Sequence, residues 1–212
     1  MENVTKLYYQ KRGQILVKNL HKRHHEAWYC DTKEEALAKA LELIPQGATV
    51  GWGGVMSAHQ IGLIQALNEG SYNAIDRDKC ATVEEKEKAA RACFDADFFL
   101  MGANALSIDG QMVSIDGNGN RAACLIYGPK NVLVIAGMNK VCDSLEAAMD
   151  RARTVAAPIN QQRFLGKTPC SATGTCADCL SDSCICNQIV ITRNSRHPGR
   201  IKFIVVGEEL GF

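Results

Sequence analysis

Residues 131–136 read Asn-Val-Leu-Val-Ile-Ala, a continuous apolar run rich in β-branched side chains. Such a run suits a strand covered on both faces, the usual state of a strand inside a parallel sheet. A parallel sheet needs a crossover helix between successive strands, and the rest of the chain supplies them. A basic helix is predicted over about 4–23, followed by a strand over 25–30 (His-Glu-Ala-Trp-Tyr-Cys). Asp31 and Thr32 can cap a helix over 33–44, with Glu34 and Glu35 in the first turn, where the helix dipole favours acids. Pro45-Gln46-Gly47 stops it, and 48–52 is the next strand. Helices over 57–68, 84–95 and 144–155, and strands over 97–101, 188–192 and 201–206, follow the same alternation. The reading is one α/β domain spanning 1–212: an open, mostly parallel sheet with helices on both faces.

A 46% share of hydrophobic residues, with 22% charged, gives such a chain enough apolar surface for a core. The formal net charge of +1 speaks against a nucleic-acid or membrane-surface partner. The local cluster Lys11, Arg12, Lys18, Lys22, Arg23 reads as the solvated face of the first helix. No secretory signal is visible at the start and no uncharged apolar stretch could span a bilayer, so a cytoplasmic setting is expected. In a reducing compartment ten cysteines are not a disulfide framework. Cys30, Cys80, Cys93, Cys124 and Cys142 are scattered and read as small buried thiols.

The other five crowd together as Cys170, Cys176, Cys179, Cys184 and Cys186, with the spacing C-x5-C-x2-C-x4-C-x-C. A C-x2-C pair places two thiolates on one turn, and further cysteines a few residues away complete four ligands. Thiolates select zinc or an iron–sulfur cluster over magnesium or calcium, and the spacing leaves both open, with a redox dithiol at Cys176/Cys179 as a third reading. The Cys-rich loop covers about 168–187.

Two polar loops also carry chemistry. Gly51-Trp52-Gly53-Gly54-Val55-Met56-Ser57 joins a strand to a helix, where glycine permits close approach of backbone to a ligand and free N–H groups favour anions. It is neither a dinucleotide fingerprint nor a phosphate-binding P-loop, and a plain tight turn is an equal reading. Asn104 to Gly110, then Asp116-Gly117-Asn118-Gly119-Asn120-Arg121, follow a buried strand; Asp109-Gly110 is a hairpin signal. Ligands of parallel sheets sit beyond the carboxyl ends of the strands, where both loops would fall. No Ser/His/Asp set can be assigned, and His59 faces either ligand or core.

These passages, in order, resemble the LUD (lactate-utilisation) domain family. The runs that carry the likeness are 50–54 with 59–63, 102–110 with 113–121, 123–129 with 132–140, 156–160, and Thr168-Pro169-Cys170 through Ile185-Cys186-Asn187 to 205–212. The resemblance implies a fold like the NagB/RpiA/CoA-transferase group. It implies a ligand site at Gly53, Gly54, Ser57, Asn104, Asp109, Asp116, Asn118, Asn120 and Arg121. It further implies a metal set of Cys170, Cys176, Cys179 and Cys186, with Cys184 a spare, and a [4Fe–4S] cluster favoured over zinc. The function implied is a subunit or accessory of L-lactate oxidation to pyruvate, alongside iron–sulfur partner subunits, with homodimerisation expected by fold analogy. Val55 departs from the serine the family often has after Gly-Gly. No flavin or nicotinamide fingerprint is visible. The competing expectations are a CoA-ester or sugar-phosphate enzyme with structural zinc, for which Glu69 is the nearest acidic nucleophile, and a non-catalytic assembly subunit.

Overall fold

The computed structural model describes residues 2–164 and 166–212. Its strands are β1 (Glu26–Cys30), β2 (Thr49–Trp52), β3 (Asn73–Ile75), β4 (Phe98–Gly102), β5 (Ala105–Ser107), β6 (Met112–Asp116), β7 (Asn131–Gly137), β8 (Val141–Cys142), β9 (Gln188–Thr192) and β10 (Ile201–Val206). Its α-helices are α1 (Glu2–Lys22), α2 (Lys33–Leu43), α3 (Met56–Gln60), α4 (Leu63–Glu69), α5 (Val83–Ala92), α6 (Asn120–Tyr127), α7 (Leu145–Arg151), α8 (Ala157–Gln161) and α9 (Pro169–Thr173). The main sheet has six strands in the order β1-β10-β7-β4-β2-β3, all paired in parallel.

The apolar run in β7 is central, and its side chains alternate between two cores. Leu133 and Ile135 join Leu100, Ile204 and Val206 on one face, covered by Ala36 and Ala40 of α2 and Leu63, Ile64 and Leu67 of α4. Val132, Val134 and Ala136 join Phe99, Met101, Phe203 and Val205 on the other, covered by Leu16 and Leu20 of α1 and Leu125 of α6. Both faces being buried explains why the sequence shows an unbroken apolar run rather than an alternating one.

Two expectations are corrected. The helix expected over 57–68 is two helices, because Gly62 adopts a left-handed φ of +80° that ends α3 and starts α4. The helix expected over 144–155 passes from α7 into a π-helical stretch, Ala152–Ala156, and on through α8. The Asp109-Gly110 hairpin forms as its turn signal indicates. It joins β5 and β6 within a second sheet, β8-β5-β6-β9, in which β6 also pairs antiparallel with β9. Ala105, Val113 and Ile115 of that sheet pack against Ala148, Ala152 and Ala157. Among the scattered cysteines Cys30, Cys93 and Cys124 are buried, while Cys80 and Cys142 are only half-buried. No helix among the described residues is long and apolar enough to cross a membrane.

Candidate functional site

From β2 the chain proceeds to β3 on one side of the sheet; from β4 its next strand in the same sheet, β7, lies on the other. That divergence opens a crevice beyond the carboxyl ends of β2 and β4, the usual ligand position in such sheets. A cleft of about 570 Å³ occupies it. Gly53, Gly54, Ser57, Asn104, Asp116, Asn118, Asn120 and Arg121 all line it. Segments distant in sequence therefore converge on one cleft, which brings together eight of the nine candidate ligand residues. Asp109 stands apart. Its carboxylate is held in the β5–β6 turn by Ser107, by Gln111 Nε2 at 3.0 Å and by Arg23 Nη2 at 2.7 Å. Its acidity is therefore used in fastening the hairpin to the end of α1.

Several cleft residues hold the loops in shape. Asp116 accepts from Gly119 N at 3.0 Å and Ala122 N at 2.9 Å, which fastens the turn that starts α6. Arg121 donates through Nη2 to Asn104 Oδ1 at 3.0 Å and Ile115 O at 2.6 Å, and its Nε lies 3.8 Å from Asp116 Oδ2. Gly53 lies tight against Arg121: a Cβ would stand 3.0 Å from Arg121 Cγ, so the arginine stem would have to shift. Gly54 has open space around it. Ser57 does not cap α3, whose cap residue is Val55 with no side-chain bond; its buried Oγ lies 3.5 Å from Lys140 Nζ instead.

Lys140 was not among the expected site residues. It follows β7, is 4% exposed, lines the cleft and donates to Ala103 O at 3.1 Å. Burial, with help from the nearby Arg151 and Arg121 charges, pulls its pKa down to about 7. Arg151 ties the floor together, donating to Asn104 O at 2.7 Å and Asn139 O at 3.0 Å. With Arg77 and Arg163 also on the wall, the cleft offers cations to an anionic ligand. The only sequence hint for Lys140 was its place just past the carboxyl end of the apolar strand.

The floor is closed where β7 meets the 208–211 segment: Met138 N donates to Glu208 O at 3.1 Å and Leu210 N to Asn139 Oδ1 at 3.1 Å. Gly137 lies under this crossing. An added Cβ would stand 2.5 Å from Leu210 N and closer still to Glu208 O. Backbone atoms cannot rotate aside, so Gly137→Ala is expected to destabilise the fold by about 1–3 kcal/mol, the usual cost of overpacking. Urea unfolding measures this, and an unchanged midpoint would show that the segment yields freely.

The Cys-rich loop forms the far rim of the cleft. All five of its cysteines line a smaller cavity of about 100 Å³, and Cys184 and Ile185 line both spaces. Thr168 caps α9 and its Oγ1 lies 3.3 Å from Cys170 Sγ; Cys186 N donates to Cys184 Sγ at 3.3 Å. The Cys179 thiol is held below its ordinary pKa by the Ser181 hydroxyl and backbone, whereas burial pushes Cys186 up to about 12. Among the described residues no three His, Cys, Asp or Glu side chains stand as a ready site for one metal ion. The donor set fits a thiophilic group of several atoms: sulfur lines a space far larger than the roughly 10–15 Å³ that one water needs.

The chain is an open parallel α/β sheet with a polar, charged cleft at its strand-order reversal, rimmed by a cysteine loop. The LUD domain model matches residues 13–206, and the chain belongs to the LUD domain family. A DUF162 family protein from Deinococcus radiodurans is similar in structure, with a TM-score of 0.51 and 11% identity over 95% of this chain and 97% of that one. Ribose 5-phosphate isomerase A from Methanocaldococcus jannaschii matches about half of each chain, 53% and 55%, with a TM-score of 0.34 and 18% identity. No curated protein matches the chain.

Proposed function

We propose that the chain serves lactate utilisation as a subunit or accessory of L-lactate oxidation to pyruvate. In this reading the cleft holds the small 2-hydroxy or 2-keto acid, and the cysteine loop holds an iron–sulfur cluster facing iron–sulfur partner subunits. The observation that carries it is that Cys184 and Ile185 line both the cleft and the thiol cavity, so ligand and thiol centre are separated by a single wall. Lys140 and Arg121 supply charge for the carboxylate, and the 182–185 segment shields that side of the cleft from water. Converting the hydroxy acid to the keto acid releases two electrons and two protons. An iron–sulfur cluster, when bound, supplies one-electron acceptance, and the partner subunits are the final electron acceptor.

Anaerobic purification with metal analysis and visible spectroscopy tests this. Iron, with a broad band near roughly 400 nm that dithionite bleaches, is the expected result. Single serine substitutions at Cys170, Cys176, Cys179 and Cys186 are each expected to lower iron content by more than half; full content in all four would dismiss that ligand set. One colourless zinc per chain would dismiss the electron-transfer role. A second reading would then stand, favoured by the cleft volume of about 570 Å³, which is generous for a three-carbon acid. It is a CoA-ester or sugar-phosphate enzyme with structural zinc.

A further inference from the structure

The cysteine cavity has a polar resident that the thiols do not explain. Gln161 ends α8 at 1% exposure, and neither Nε2 nor Oε1 has a hydrogen-bond partner among the described residues. Burying an unpartnered amide is costly, and natural proteins seldom leave one without a function. The residue lines the same cavity as Cys170, Cys176, Cys179, Cys184 and Cys186. Gly166 packs closely against the amide: a Cβ there would stand 3.0 Å from Gln161 Nε2 and 2.7 Å from Ser183 Cβ.

A buried carboxamide that shares this lining with five cysteines needs an acceptor inside the cavity. A single ion wrapped in thiolates presents thiolate sulfur alone. A sulfide-bridged cluster presents inorganic sulfur and thiolate sulfur, both acceptors for N–H. Resting on the iron–sulfur reading above, we propose that Gln161 is a positioning residue whose Nε2–H donates to a sulfur of the bound cluster. The bond stabilises the more negative reduced state and so raises the reduction potential. Sequence reasoning could not single it out, since Gln161 sits in an unremarkable Asn-Gln-Gln run.

The test is a redox titration of anaerobically reconstituted full-length protein, read by visible absorption and electron paramagnetic resonance. Gln161→Leu removes the amide, and Gln161→Met removes the donor while keeping the length, in case the leucine variant does not fold. Either is expected to retain full iron and shift the couple to lower potential by about a tenfold change in the equilibrium, which for one electron is about 59 mV. Full iron with an unchanged potential overturns the donor role and leaves the cluster standing. Wild-type protein that takes up zinc or no metal overturns the cluster and the donor role together.

Discussion

Lys140→Met is expected to weaken pyruvate binding to the cleft by about ten- to a hundredfold, because hydrogen bonds to charged groups are worth about 1.5–3 kcal/mol and each 1.4 kcal/mol is tenfold. Lys140 Nζ is fixed by Ala103 O and Ser57 Oγ on its protein side, so its remaining donor capacity belongs to the cleft. Methionine keeps the length and the apolar stem, which separates loss of charge from loss of packing. The pH dependence follows from the sign of the shift. A lysine whose pKa is lowered to about 7 is charged below that pH and neutral above it. Wild-type affinity for the anion should therefore fall about tenfold between pH 6 and pH 8, and the methionine variant should be flat over that range. Isothermal titration with pyruvate, and separately with inorganic phosphate, reads both effects. Equal affinities for wild type and variant would remove Lys140 from the site, and preference for phosphate would favour the phosphate-ligand reading.

Acid is expected to cost the fold about 3 kcal/mol between pH 6.5 and pH 4 through one residue, His25, at about 1.36 kcal/mol per pH unit. His25 lies just before β1, 3% exposed, with its ring 5.2 Å from that of Phe203 and neither ring nitrogen hydrogen-bonded among the described residues. Burial, then the Arg23 and His24 charges, lowers its pKa from 6.5 to about 4. Through that window the unfolded chain takes up a proton that the native chain refuses. Stability is thus complete above pH 6.5, falls as the pH drops, and levels off for this group below about 4. Urea unfolding of wild type and His25→Leu at pH 7 and pH 4.5 isolates the contribution, since carboxylate titration is common to both. Parallel losses in the two proteins would show that His25 is not the responsive group.

What could be read in advance follows physical range. The strands β7 and β10 and the helix α2 were legible because burial on both faces and a Thr cap leave local signatures. The two- and three-residue strands β8 and β3 leave none, being held by their neighbours in the sheet. The turn residues Gly53, Asn104 and Asp116 betray a cleft because tight loops at strand ends demand those residue types. Asp109 shares that chemistry but spends it on a hairpin, and only the fold tells the two uses apart. Lys140 and Gln161 were invisible for the opposite reason. Their significance is burial without enough partners, a property conferred by segments dozens of residues away.

The sheet order carries a consequence for how the chain is made. β10 lies between β1 and β7, although it is the last of the ten strands to be synthesised. Until residues 201–206 emerge, β1 has no neighbour in the sheet and β7 lacks one of its two, so the N-terminal hairpin of α1 and β1 must wait on an incomplete edge. The ribosome therefore cannot release a finished N-terminal half. Closure of the main sheet waits on residues 201–206, with long-range pairing that makes folding slow and leaves strand edges exposed meanwhile.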